Sequence, residues 1–278
     1  MEIRQFSKSL IMSDGVWYGP KESISYPDEG AEFFGEIEDD SFWFQHRNNC
    51  LVELVKQFPP QGPIFDIGGG NGTVSLSFEK NGFSTVLVEP QINGVKKAKE
   101  RGLKNLICSS FDKADFQDDS LPAIAVLDVV EHIQNDLEFL ESLRQKLISG
   151  GYIYISVPAF EIIWTVKDEW NEHFRRYTVS SIKKVLKKAG LEVMFSTYVF
   201  SILPFPIFFL RALPNRFGLN KNIHKLERKQ HKMGQKGFAG KVLGKIWEWE
   251  LNQIRKRKSI IFGSSCLIVA RKIPANKI

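Results

Sequence analysis

Pro63-Ile64-Phe65-Asp66-Ile67-Gly68-Gly69-Gly70-Asn71-Gly72-Thr73-Val74-Ser75-Leu76 is the stretch on which the reading of this chain turns. An apolar run ends at an acid, passes through a glycine cluster and enters a segment with helical spacing. That order predicts a strand, a tight turn and a helix N-terminus. Glycine suits such a turn because it takes positive φ freely and, lacking Cβ, lets a ligand lie against the backbone. The N–H groups that open the following helix favour polar or anionic ligand atoms. A dinucleotide fingerprint, G-x-G-x-x-G, would need glycines at 68, 70 and 73. Position 73 is Thr73, which argues against a nicotinamide-dependent oxidoreductase.

Ser84-Thr85-Val86-Leu87-Val88-Glu89-Pro90 reads as a second β-branched strand ending in an acid, 23 residues after Asp66. A carboxylate at the end of that strand can accept both hydroxyls of a ribose. Two acids at successive strand ends, flanking a glycine turn, fit a nucleoside-like ligand.

The observed spacing, Asp-x-Gly-x-Gly-x-Gly, resembles the class I S-adenosylmethionine (SAM) dependent methyltransferases. In that family the loop after the first strand wraps the methionine part of SAM. Further on, Leu127-Asp128-Val129-Val130-Glu131-His132-Ile133 resembles the Asp-x-x-Glu-His segment of small-molecule methyltransferases such as those of ubiquinone biosynthesis, the type 11 branch. Ile155-Ser156-Val157-Pro158 and His173-Phe174-Arg175-Arg176-Tyr177-Thr178 look like the same branch. The resemblance covers roughly residues 42–189 and the last strand. It implies SAM as cofactor and a cofactor site formed by Asp66, Gly68, Gly69, Gly70, Gly72, Glu89, Pro90, Ser110, Phe111 and Asp128.

The rest of the pattern alternates strand and helix. Strands are expected at 64–67, 85–89, 105–108, 123–127, 152–157 and 191–199, with a last one at 262–270. Helices are expected at 71–81, 92–101, 136–147 and from the Thr178 cap to 189. This succession demands a parallel, doubly wound α/β sheet with its ligand at the carboxyl ends of the strands. The resemblance adds that the sheet is Rossmann-like and seven-stranded, with the last strand antiparallel. A further helix should start at Phe42, capped by Asp39, Asp40 or Ser41, and stop at Pro59-Pro60. Its first turn, with His46 and Arg47, resembles the helix that covers the SAM pocket in related enzymes. Residues before it, including Trp17-Tyr18 and Phe33-Phe34, are expected to be irregular. Four segments follow: an N-terminal cap over 1–60, a SAM-binding core over 61–200, a basic and apolar helical insertion over 201–261, and a final strand and tail over 262–278.

Composition narrows the partners. The net charge of +6 sits unevenly. Residues 211–258 hold 14 Lys/Arg against three acids, a balance of +11, while the remainder carries −5. A basic segment beside the apolar run from Tyr198 to Leu213 suits the surface of a membrane better than a duplex. The run is too short and too proline-interrupted to span a bilayer. There is no Asn/Asp-Pro-Pro-Tyr/Phe element after the fourth strand, which lowers nucleic-acid methylation. Cys50, Cys108 and Cys266 lie far apart without a C-x-x-C pair. A reducing cytoplasm, with contact at the membrane periphery, is expected, and no metal.

The chemistry expected is displacement at the sulfonium methyl by a small or lipid-linked acceptor, at oxygen. Nucleic-acid methylation and non-catalytic SAM binding are the alternatives. A hydroxyl must lose its proton, and imidazole titrates in the range to take it. His132 and His173 are the two candidate bases; pairing of His173 with Asp168 or Glu169 is the plainer alternative. Arg175 and Arg176 are candidates for holding an anionic acceptor.

Overall fold

A computed structural model describes residues 3–20, 42–218 and 238–273. The β-branched runs form the strands that the pattern predicts: β3 (Ile64–Ile67), β4 (Thr85–Val88), β5 (Leu106–Cys108), β6 (Leu121–Leu127), β7 (Leu147–Pro158), β8 (Leu191–Val199) and β9 (Ser265–Lys272). They stand in the order β5-β4-β3-β6-β7-β9-β8. The first five pair in parallel, and β9 enters antiparallel between β7 and β8. All four residues of β3 are buried, as the central strand of a sheet covered on both faces requires.

Among the described residues the sheet has nine strands, not seven. The additional pair comes from the stretch expected to be irregular: β1 (Ile11–Ser13) and β2 (Val16–Tyr18) form a hairpin whose second strand pairs in parallel with β5 through Trp17 and Tyr18. Asp14 and Gly15 both take positive φ, at 49° and 76°. That is the geometry of a two-residue hairpin turn, for which Asp-Gly is a favoured pair. Phe33-Phe34 and the proposed caps Asp39, Asp40 and Ser41 lie outside the described residues.

Helices cover both faces. α1 (Phe42–Gln57), α2 (Thr73–Lys80), α3 (Ile92–Glu100), α4 (Asp136–Lys146), α5 (Val166–Trp170), α6 (Val179–Lys188), α7 (Pro204–Ile207), α8 (Leu213–Arg216) and α9 (Phe238–Arg255) follow in order, with a π-helical turn at Phe208–Ala212. The period of two along each strand divides the core. Ile64, Ala123, Ala125 and Tyr154 face α1, α2 and α9 through Leu51, Leu54, Phe78 and Trp247. Phe65, Ile67, Ile124 and Ile155 face α4 and α6 through Leu140, Leu143, Ile182 and Leu186. Each fully buried aliphatic side chain contributes about 1.5–3 kcal/mol. Thr178 caps α6 with a reciprocal pair of hydrogen bonds to Ser181, as the sequence pattern implies.

The insertion is tied to α1 through one buried carboxylate. Glu250 on α9 accepts from the Phe200 and Ser201 backbone N–H groups and the Ser201 hydroxyl at 2.7–2.9 Å. Its Oε2 also lies 2.8 Å from His46 Nε2, and the His46 ring stacks on Trp247. Burial alone would push the Glu250 carboxyl up; hydrogen bonds from His46 and Ser201 outweigh it and hold the group below its ordinary range. The aromatic first turn of α1 therefore packs on the insertion and the residue that leads into it: Phe42 lies tilted against Trp247, and Trp43 stacks on Phe200.

Candidate active site

The loops after β3, β4 and β6 leave the sheet along one edge. Gly68 N–H donates to the Val88 carbonyl, Glu89 N–H to Ile107, and Asp128 N–H to Ser156, at 2.8–3.0 Å. This is the carboxyl edge of a doubly wound sheet, where ligands bind. Gly68, Gly70 and Gly72 take φ of 68°, 54° and 76°, a region that other residues enter at a cost. Their surroundings separate their roles. A Cβ on Gly68 would lie 2.7 Å from Val129 Cγ2, and on Gly72 it would lie 2.6 Å from Leu103 Cδ1. A Cβ on Gly69 would crowd Leu87 and the Asp66 carboxylate. At Gly70 it would meet nothing within 4 Å. Three of these glycines serve packing, and Gly70 borders open space.

The two acids do different work. Asp66 is buried, and Ser75 at the start of α2 donates its hydroxyl to Oδ2 at 2.7 Å. Burial raises its carboxyl to about 6, with Ser75 and Arg47 opposing. The contact it makes holds the turn to the helix. Glu89 Oε2 accepts the Gly70 N–H, and Oε1 accepts the Gln91 N–H, both at 2.8 Å. Each carboxylate oxygen keeps a second lone pair, enough for two vicinal hydroxyls. Burial pushes Glu89 up to about 7, against the two backbone hydrogen bonds. Gly94, in the first turn of α3, was not recognised as part of this arrangement. A Cβ there would lie 2.8 Å from the Gly70 carbonyl and 3.1 Å from Glu89 Cγ. A glycine near a helix start, against propensity, was the available signal.

Because Glu89 as a carboxylate is the hydroxyl acceptor in this assignment, affinity for SAM should rise as pH increases through about 7. From pH 6 to pH 8 the ionised fraction grows about tenfold. Folding has the opposite dependence. A carboxyl raised above its unfolded value stabilises the fold below about pH 4.5, and that contribution fades as pH passes 7. Glu89→Ala should weaken SAM by roughly 1.5–3 kcal/mol and flatten the pH profile of binding. Titration calorimetry across that range checks it, and a profile identical in the variant would remove Glu89 from the site.

Asp128 follows β6 at φ 57°, the left-handed region. Its Oδ1 accepts from Ser156 Oγ at 2.8 Å, and its Oδ2 pairs with Arg47 Nη1 at 2.5 Å. Arg47 also lies over the Trp43 and Phe44 rings. Sequence reasoning placed both residues near the pocket but not against each other, 81 positions apart. Helix α1 thus reaches the pocket edge through Arg47, one residue from the His46 that anchors it to the insertion.

The two candidate bases meet. The His132 and His173 rings lie 4.6 Å apart, edge to face. His173 Nδ1 is 2.9 Å from Asp168 Oδ1, so the plainer pairing anticipated from sequence is present. Asp168 is buried and fixed on all sides. Thr165 donates its N–H and hydroxyl at 2.8 and 3.0 Å, and Arg176 donates Nε and Nη2 at 2.8 and 3.0 Å. Burial opposes ionisation of Asp168, but His173 and Arg176 outweigh it and hold the carboxyl well below the usual range. Burial and the charge of His173 lower His132 to about 4. Glu131 is 1% exposed, and its Oε2 has no hydrogen-bond partner among the described residues. Burial, then the charge of Asp128, raises its carboxyl well above the ordinary range. Donor atoms of Glu131, His132 and His173 lie within 4.8 Å of one another.

Other candidates are placed less centrally. Pro90 and Ser110 are half-buried at the ends of β4 and β5. Phe111 is buried in the core, packed on Phe116 and Phe139. Arg175 and Arg176 are both engaged by the protein: Arg175 pairs with Asp136 at 3.0 Å and donates to the Gln134 carbonyl, while Arg176 grips Asp168. Neither is held out for an anionic acceptor.

A glycine turn, an acid at the next strand end and a doubly wound sheet define a nucleoside-binding α/β protein. A family model for a methyltransferase domain matches residues 43–194, more than half of the chain. The chain belongs to this methyltransferase family, and it is a SAM-dependent enzyme. Solved structures share the fold. The phosphoethanolamine N-methyltransferase 2 of Haemonchus contortus, in complex with SAM, superimposes with a TM-score of 0.54 at 17% identity. The alignment covers 89% of this chain and 57% of that one. A chain of the Haloferax volcanii complex between the Trm112 methyltransferase activator and a methyltransferase candidate gives 0.55 at 14% identity, covering 88% and 95%. The cyclase SpnF gives 0.55 at 17% identity, covering 84% of each chain. The fold thus also carries chemistry other than methyl transfer. A search of curated proteins found no significant sequence match.

Proposed function

We propose that this enzyme moves the methyl of SAM to a hydroxyl oxygen of a small or lipid-linked acceptor, with His173 taking the proton. The acceptor oxygen attacks the methyl carbon, and the C–S bond breaks with its electron pair on sulfur, leaving S-adenosylhomocysteine. Orientation and exclusion of water supply most of the acceleration. Gly70 and Glu89 face the cofactor in this reading, Gly68 and Gly72 shape the turn that presents them, and Asp128 lies at the methionine end.

The base assignment rests on reading the Asp168–His173 pair as an orienting contact rather than as a structural pairing alone, and turnover of the His173 variant separates the two. A carboxylate on Nδ1 fixes the tautomer and leaves Nε2 as the acceptor, the logic of an oriented general base. His132, neutral beside it, shapes the same pocket edge. The test is turnover of labelled SAM with extract fractions, comparing wild type with His173→Ala.

The buried Glu131 Oε2, which has no hydrogen-bond partner among the described residues, favours a second reading. Glu131, His132 and His173 could hold a divalent cation, with Asp168 behind His173 as its orienting carboxylate. The cation would then ionise the acceptor, and the histidines would be ligands. Equilibrium dialysis with zinc and manganese should give one bound ion per chain, lost in Glu131→Gln. No retained ion would leave the histidine-base reading alone.

A further inference from the structure

The described part of the insertion leaves an apolar face uncovered. Phe205, Phe209, Leu210 and Phe217 are 57–72% exposed, and Ile261, just beyond α9, is 89% exposed. Two contact groups run along it: Phe205 lies 5.5 Å from Phe262, which lies 5.2 Å from Phe160 in the loop after β7, and Phe209 lies 5.2 Å from Phe208. On the far side, Arg216 covers the Phe208 ring and donates to the Ile162 carbonyl at 3.0 Å. That loop leads directly into Thr165 and Asp168, so the face borders the candidate active site.

We infer that this face docks on an anionic bilayer surface. The occupant follows from charge. Arg255, Lys256, Arg257 and Lys258 form an exposed basic run that ends three residues before Ile261, with Arg255 bonded to Glu53 and Arg257 to Gln57 at the surface while Lys256 and Lys258 extend from it. Arg216, at the end of α8, is exposed as well. Aromatic and aliphatic groups at interfacial depth with lysines at headgroup level are the pattern of a peripheral anchor. No helix among the described residues is long and apolar enough to cross a membrane. A water-soluble protein rarely exposes so many large apolar groups together. Docking here would bring the active-site rim to lipid-linked molecules. The surface argument stands without the base assignment.

Vesicle co-sedimentation decides it, using phosphatidylcholine alone and mixed with phosphatidylglycerol, at low and high salt. The protein should pellet with the anionic vesicles preferentially, and salt should weaken that preference. Lys256→Ser and Lys258→Ser should each lower anionic binding by about fivefold. Phe209→Ser combined with Leu210→Ser should lower binding to both vesicle types, with melting temperature and SAM affinity retained as the control of folding. Equal binding to neutral and anionic vesicles would overturn the proposal, as would patch variants that bind like wild type. Absence of vesicle binding together with concentration-dependent dimerisation abolished by the patch variants would assign the face to a second copy instead.

Discussion

His173→Ala will lower turnover by about 10²–10⁴ while SAM binds as in wild type. The expectation comes from the way the ring is held. Its Nδ1 is fixed on Asp168, and Asp168 is fixed in turn by Arg176 and Thr165. His173 is therefore the oriented group and the carboxylate its support. Asp168→Asn should reduce turnover as well, through the wrong tautomer, and it will also disturb the Arg176 and Thr165 contacts. His173→Ala is the cleaner variant because it leaves that buried network in place. His132→Ala should cost less, since its ring packs against His173 and is not bonded to the supporting acid. Stopped-flow or discontinuous assays that separate turnover from SAM affinity check this. Normal turnover in both histidine variants would mean that orientation alone drives the reaction and that neither histidine is a base.

Gly70→Val should weaken SAM by up to about a hundredfold, with a smaller loss of fold stability than the same change at Gly68 or Gly72. Substitution at a φ of 54° costs about 1–2 kcal/mol wherever it occurs. At Gly68 or Gly72 the new atoms would also press on Val129 or Leu103, so stability and binding would fall together. At Gly70 the space ahead is open, and only a ligand can be displaced. Forcing a side chain into space that a bound cofactor fills costs up to about 3 kcal/mol of SAM affinity, whereas the backbone strain is borne by free and bound enzyme alike. Calorimetric titration with SAM and thermal melting, read together, distinguish the cases. A variant that melts normally and binds SAM normally would put the cofactor elsewhere.

The parts of this architecture that depend on near neighbours were legible in the sequence. The glycine turn, Glu89 at the next strand end and the Thr178 cap are local patterns with fixed spacing, and the parallel, doubly wound sheet follows from alternation of strand and helix. The β1–β2 hairpin was missed because its strands have three residues each, too short for a period of two to register. The Asp14-Gly15 pair was the signal that could have found it. Contacts between distant residues left no such signal. Arg47 with Asp128, and His46 with Glu250, join helices and loops brought together only by the folded sheet. Gly94 is intermediate: its cause, a close approach to the Gly70 carbonyl, is tertiary, but a glycine in the first turn of a helix invites the question.

Incubation with methyl-labelled SAM and fractionated cell extract tests the central claim most directly. The account predicts label in a small or lipid-extractable product through an oxygen–methyl bond, formed by wild type and lost with both Gly70→Val and His173→Ala. Label confined to nucleic acid or protein, or transfer that persists in both variants, would contradict it.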